Sequence, residues 1–289
     1  MIKTRLIWNI TNKCPYDCSF CCVNANSKQE ELSLEAKLSI VDNLDLEDIK
    51  IDISGGEPLL NPENLEVLKK LSKKFDRSKL SITSTGKGLE RVNLTELSNY
   101  VSELEFSYDF PREPAKERPR GYNEHNLRLA KEVAKQNMTT TAQTTLIKTN
   151  INQEIIKEIY LNLVYAKIDR LLLIKFSTSG RGESRKDLAL TQEEVNKAIR
   201  EYKRFEKEYK TPIIKISPSL RGNLIGKIFT SLNITSQGLI LTNPWAYDLL
   251  GEPKPNFILG DIKLEKLSKI AGRSTYQRFL TQLKRNILG

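Results

Sequence analysis

Cysteine occurs four times in this 289-residue chain, and all four fall inside nine positions, Cys14-Pro-Tyr-Asp-Cys18-Ser-Phe-Cys21-Cys22. Thiols so concentrated, with none elsewhere, ask for one local explanation. The spacing C-x3-C-x2-C places three thiolates on one short loop, enough to hold one metal centre. Soft sulfur ligands favour an iron–sulfur cluster or zinc. A closed structural zinc site needs a fourth ligand at a suitable place. Cys22 is a poor candidate, because adjacent residues rarely both face one small centre, and the only histidine, His125, is far away in sequence. A cluster held by three thiolates is self-consistent and leaves one iron open. Cys22 then reads as a packed thiol, with a hydrogen-atom donor as the other reading.

The second chemical stretch is Ser54-Gly55-Gly56-Glu57-Pro58. Its glycines allow a close approach that a Cβ would obstruct, and the expected visitor is a ligand. With one histidine in the chain, chemistry built on a histidine base or several histidine ligands has almost nothing to work with.

These loops need elements to position them. Residues 3–10 read as a strand running into the cysteine loop, and 48–54 alternate as a second strand running into the Gly-Gly-Glu-Pro turn. Ser33 reads as an N-cap. Asn61 with Pro62 marks a further helix start, with Leu65, Leu68 and Leu71 turned inward. Strands at 79–85, 103–108, 139–147 and 169–176 alternate with helices near 94–100, 123–136 and 152–164. Six strand–helix steps imply parallel β-α-β units. They fit either an open doubly wound sheet or a six-unit partial barrel, fewer than the eight units of a closed one. In both, the loops after the strands carry the site, so both motifs project from one face. Beyond Gly182 the pattern changes. Thr191 and Glu194 form a capping-box signature for a long helix to about residue 209. Short strands are expected at 213–216 and within 232–241, then a final helix at about 264–287. The expected division is 1–182 and 183–289.

Composition bounds the rest. Apolar content of 39% and charged content of 28% are ordinary for a globular enzyme able to bury its own core. No apolar run is long enough to span a membrane, and the N-terminus lacks a signal-peptide pattern, so a cytoplasmic setting with reduced thiols is expected. The net charge of +10 reads first as a lysine-rich surface. Without a long basic run or interleaved aromatics, nucleic acid is not an expected partner.

Cys14, Cys18, Phe20 and Cys21 in C-x3-C-x-aromatic-C after a first strand, followed by Gly-Gly-Glu-Pro after a second, resemble the radical S-adenosylmethionine (SAM) superfamily. The resemblance covers roughly residues 3–182. It implies an α/β fold, a partial (β/α)6 TIM-like barrel with a small C-terminal α+β extension. It implies that Cys14, Cys18 and Cys21 hold one [4Fe–4S] cluster whose open iron chelates SAM. Gly55, Gly56, Glu57 and Pro58 match the segment that contacts the methionine amine. Ser84 and Thr85, and Ser107 and Asp109, sit where the family often approaches the ribose and methionyl parts, and Ser179-Gly-Arg181-Gly182 resembles a Gly-Arg-Gly segment after the last barrel strand, which makes Arg181 a further expected cofactor contact. The implied chemistry is reductive cleavage of SAM and removal of a hydrogen atom from a substrate. An external one-electron donor of flavodoxin or ferredoxin type is expected, and the basic surface would suit an acidic one.

Residues 232–262 resemble the rhythm of the SPASM or twitch extension of peptide-modifying members. Ser231, Leu241 and Pro244 stand in the neighbourhood where that extension carries cysteines, so no auxiliary cluster is expected. This favours a peptide substrate. The compact length and the absence of a preceding leader-binding segment favour a small metabolite, nucleoside or cofactor precursor instead. A non-catalytic metal-binding or assembly protein is the remaining reading. Tyr108, Tyr122, His125, Glu124, Trp8 and Trp245 read first as core or surface residues.

Overall fold

In a computed structural model, the chain is described over residues 4–112, 116–119, 121–220 and 230–273. Strands β1 (Thr4–Thr11), β2 (Ile49–Gly55), β3 (Leu80–Ser84), β4 (Glu103–Ser107), β5 (Thr139–Leu146) and β6 (Arg170–Lys175) lie side by side in chain order, each parallel to the next. Helices α1 (Leu34–Asn43), α2 (Asn64–Lys74), α3 (Leu94–Tyr100), α4 (Tyr122–Val133) and α5 (Gln153–Tyr165) make the crossovers. This is the partial-barrel arrangement, and the doubly wound alternative is set aside by the strand order.

Residues beyond 182 join the same sheet at both of its edges. After α6 (Gln192–Tyr209), β7 (Ile213–Ile216) pairs parallel with β6. Strand β8 (Thr230–Ile234) pairs parallel with β1 at the opposite edge, and β9 (Leu239–Leu241) and β10 (Ile258–Asp261) follow antiparallel.

The core lies between the sheet and the helices. Ile49, Ile51 and Ile53 of β2 and Leu80 and Ile82 of β3 pack on Ile40, Val41, Val67, Leu68 and Leu71 of α1 and α2. Burying each such side chain stabilises the fold by roughly 1.5–3 kcal/mol. The other face of the strands is polar. Arg5, Asp52 and Glu105 are in contact across it: Arg5 Nη2 donates to Glu105 Oε1 at 2.7 Å and lies 3.4 Å from Asp52. Ser81 and Thr83 donate to Asp52 at 3.0 and 3.1 Å. Burial lifts Glu105 to about 7 against the pull of Arg5.

The caps expected at Ser33 and Thr191 form: Ser33 Oγ accepts from Ala36 N, and Thr191 with Glu194 closes both halves of the capping box. Asn152 Oδ1 caps α5 in the same way, accepting from Ile155 N. Two expectations shift. The helix expected at Asn61 begins at Asn64, because Asn64 N, Leu65 N and Glu66 N bond three residues back and keep this turn tight. Its buried stripe is therefore Asn64, Val67, Leu68 and Leu71, with Leu65 half-buried. Of the helix expected at 264–287, the described part is α7 (Leu267–Ala271), and residues 274–289 lie outside the described residues.

Candidate active site

The residues expected to hold the cluster and SAM stand on one rim, at the carboxyl ends of the strands. The cysteine loop follows β1, Gly55–Pro58 ends β2, Ser84 and Thr85 end β3, Ser107 and Asp109 end β4, and Arg181 follows β6.

The cysteine loop closes on itself where Cys14 N donates to Asn26 O and Asn26 N to Asn12 O, both at 3.1 Å. Cys21 N donates to Cys18 O at 3.2 Å, turning the chain so that Cys14, Cys18 and Cys21 feel one another's charge. Cys21 Sγ accepts from Ala25 N at 3.3 Å, and the Arg118 guanidinium, packed on the Phe20 ring, favours the charged form of Cys18. Such bonds are one of the levers by which proteins tune thiolate-held clusters. Burial pushes the Cys14 thiol up to about 12 and Cys18 in the same direction, so metal must displace protons to bind. Cys22 is raised to about 12 by burial and then by Cys21, and it packs toward Tyr247.

Among the described residues, no three cysteine, histidine or acidic groups gather as they would around a single ion. Three thiols on one short loop are a donor set that an iron–sulfur cluster can use. His125 brings no fourth ligand: its Nδ1 lies 3.0 Å from Arg128 and 3.6 Å from Glu90.

A chain of clasps holds the rim. Gly56 N donates to Thr11 O and Glu57 N to Lys13 O, both at 2.8 Å. A Cβ on Gly55, at φ +119°, would lie 2.1 Å from Thr11 O, and one on Gly56 2.2 Å from Lys13 O. The visitor that excludes side chains here is thus the chain's own loop, where the sequence pointed to a ligand. The Glu57 carboxylate is fully buried and raised by that burial. It accepts from Thr85 N at 2.7 Å, Ser84 Oγ at 3.0 Å, Leu59 N at 3.2 Å and the Thr85 hydroxyl. It ties β2 to β3 from within. Asp109 ties β4 to β5, accepting from Thr145 N at 2.7 Å and from Arg118 Nε at 2.7 Å. Ser107 carries its carbonyl bond from Asn126 at 2.8 Å.

Arg181 bridges the two ends of the rim. Its backbone N donates to Cys21 O at 2.9 Å, Nε to Cys18 O at 2.7 Å, and Nη1 to Ala25 O at 3.0 Å and Asn24 Oδ1 at 2.8 Å. Gly180, at φ +52°, sits where a Cβ would meet Cys21 O at 2.5 Å. Phe20 is buried under the loop, with its ring 6.2 Å from Phe176.

Three contributors were not visible in the sequence. Arg118 lies against Phe20 and Tyr122. Tyr247 reaches from the C-terminal strands, its hydroxyl accepting from Asn9 at 3.0 Å and donating to Asn233 at 2.6 Å. Arg185 donates to Ser19 Oγ at 2.8 Å. Nothing in local spacing marks their place in the site, since each reaches it through a residue about a hundred or more positions away: Phe20, Asn9 and Ser19. Of the side readings, Trp8, Tyr108 and Tyr122 are buried, Trp245 is 40% exposed, and Glu124 is exposed.

The sequence profile described as the Radical SAM superfamily matches residues 8–161. The GTP 3′,8-cyclase of Ectopseudomonas mendocina (strain ymp) is 29% identical over 110 residues, 37% of this chain and 33% of that one, so the chain spans about a third of that relative's length. Among solved structures, Streptococcus suis SuiB bound to precursor peptide SuiA superposes with a TM-score of 0.76 at 16% identity, covering 95% of this chain and 66% of SuiB. Native anSMEcpe with bound AdoMet gives 0.68 at 15% identity, covering 96% and 82%. The profile matches more than half of the chain, and the fold agrees with it across nearly its whole length. With its three spaced cysteines on the loop after β1, the chain belongs to the radical SAM superfamily, whose enzymes work with a [4Fe–4S] cluster and S-adenosylmethionine.

Proposed function

We propose that this chain is a peptide-modifying radical SAM enzyme. Cys14, Cys18 and Cys21 are assigned to the cluster, and SAM to the rim beside it, against Gly55–Pro58, Ser84, Thr85 and Ser107. When bound, the cluster and SAM together supply a 5′-deoxyadenosyl radical that takes a hydrogen atom from the substrate. The chain's own groups do the positioning. Glu57, Asp109 and Arg181 have their side chains committed to the rim, so their role is to fix its shape. Gly55 and Gly56 hold the cysteine loop at a set height over the sheet. Phe20 and Phe176 exclude water beneath the loop. Cys22, turned toward Tyr247, is assigned a packing role. Residues 1–182 carry the chemistry in this reading, and 183–289 flank it. An external one-electron donor completes the system.

The observation that carries the peptide reading is the placement of residues 243–253. Asn24 Nδ2 donates to Leu250 O at 2.8 Å, and Gly251 sits where a Cβ would lie 2.7 Å from Val23 O. This segment therefore leans on the cysteine loop while showing Trp245, Leu249 and Leu250 to solvent, exposed by 40, 48 and 70%. An exposed apolar edge beside the rim suits a chain-like substrate whose side chains lie along it. SuiB, similar in fold, is bound to a precursor peptide, which supports the same reading.

The test is isotope transfer. Peptides encoded by short reading frames beside the gene are made fully deuterated and incubated with reconstituted protein, SAM and dithionite. Deuterium in 5′-deoxyadenosine is the expected result. Deuterium arriving only from a deuterated small-metabolite extract would replace the peptide with a small substrate.

A further inference from the structure

A buried full charge is packed against the metal-binding loop: the guanidinium of Arg118 lies over the ring of Phe20, between Cys18 and Cys21 in the chain. Cys21 Sγ accepts from the neutral amide of Ala25 at 3.3 Å, whereas Cys18 feels the Arg118 charge. The Arg118 side chain is 10% exposed. Its Cζ lies 4.5 Å from the Phe20 ring centre and 4.8 Å from that of Tyr122, so the planar group is held between two aromatic faces. Asp109, 0% exposed, takes Nε at 2.7 Å and Nη2 at 2.5 Å on one oxygen, while its other oxygen accepts from Thr145 N at 2.7 Å. The backbone is fixed as well, since Ser19 N donates to Glu117 O at 3.1 Å. A guanidinium is costly to bury, and two ring faces and one carboxylate would satisfy it anywhere in the protein. Here the same group is packed on Phe20, two residues from Cys18, and its charge favours the Cys18 thiolate.

We propose that Arg118 is a positioning residue that sets the reduction potential of the cluster through Cys18, with Asp109 as its counter-charge. This rests on Cys18 being a cluster ligand. Adding an electron to the cluster adds negative charge, which a fixed cation at one of its sulfurs favours. Asp109 partly cancels that cation. The two residues therefore pull the potential in opposite directions, a pattern that simple packing would not produce.

The experiment is an anaerobic redox titration of the reconstituted full chain, followed by electron paramagnetic resonance without SAM. Arg118→Met keeps most of the volume and removes the charge. It is expected to cut the reduced-to-oxidised ratio at a given potential about tenfold, a downward shift of about 59 mV for one electron. Asp109→Asn is expected to shift the midpoint upward, and Arg118→Lys to stay closer to the parent than Arg118→Met. An unchanged midpoint in either Arg118→Met or Asp109→Asn, with the cluster loaded, overturns the proposal. So does weaker SAM binding in Arg118→Met at an unchanged midpoint, which would make Arg118 a ligand contact. If Arg118→Met does not load, the other two variants decide, and loss of the cluster in Arg118→Lys would mean that shape and not charge is what the loop needs. Retention of the cluster in Cys18→Ala would instead sink the ligand assignment beneath it.

Discussion

Gly56→Ala tests whether the Gly-Gly-Glu-Pro turn serves the cysteine loop. A Cβ there would lie 2.2 Å from Lys13 O and 2.7 Å from Lys13 C, where ordinary contact begins at 3.4 Å, so the loop backbone must retreat by about 1.2 Å. Lys13 directly precedes Cys14, and the carbonyl displaced is the one that accepts from Glu57 N at 2.8 Å. The neighbouring bond from Gly56 N to Thr11 O, also 2.8 Å, moves with it. Weakening two such bonds costs about 0.5–1.5 kcal/mol each. Overpacking adds about 1–3 kcal/mol. The sum, about 2–6 kcal/mol, corresponds to a fall in Tm of about 3–10 °C for a chain of this size. The loop is the first element to yield, so iron and sulfide per chain after anaerobic reconstitution should drop well below the parent while far-ultraviolet circular dichroism stays unchanged. A Gly56→Ala protein with full iron and an unshifted Tm would refute the reasoning. The turn's glycines would then have to be explained by the ligand alone.

Three further outcomes are expected. Arg181→Ala removes the side-chain bonds to Cys18 O, Ala25 O and Asn24 Oδ1, so the cluster should load less completely and be lost faster in air; Arg181→Lys should rescue only part, because one ammonium cannot reproduce the fork. Cys22→Ala should keep full iron content whereas Cys18→Ala should lose the cluster, and loss in Cys22→Ala would contradict the ligand assignment. Glu105 titrates near 7 in the fold, against about 4.3 in an unfolded chain. Between those values the folded state binds more protons, so stability should fall as pH rises through that window, and Glu105→Gln should flatten the urea-midpoint profile there. A parent profile that rises across the window would show that ionised Glu105, paired with Arg5, is the favoured form.

What the sequence showed and what it hid divide along contact range. The cysteine spacing, the Gly-Gly-Glu-Pro turn and the strand–helix alternation are local patterns, and each element they imply is present near its expected bounds. Caps at Ser33 and Thr191 are equally local and equally visible. The roles of Glu57, Asp109 and Arg181 were legible only as positions. That their side chains turn into the rim depends on Thr85, Thr145 and the cysteine-loop carbonyls, which lie 28 or more residues away in sequence. Arg118 sits in a charged, proline-containing loop that reads as solvent-exposed, and only the fold reveals Phe20, Tyr122 and Asp109 around it. The residues after 182 read as a small α+β extension, and the fold shows that they lengthen the sheet at both edges; pairing β8 with β1 is a choice no local pattern encodes.

One measurement bears on the whole scheme most directly. The protein is reconstituted anaerobically with iron and sulfide, reduced with dithionite and given SAM, and the products are separated by liquid chromatography with mass detection. The expected result is 5′-deoxyadenosine and methionine from the parent and from Cys22→Ala, and none from Cys14→Ala, Cys18→Ala or Cys21→Ala. A parent protein that carries its full cluster and leaves SAM intact would contradict the assignment of this rim as a SAM-cleaving site.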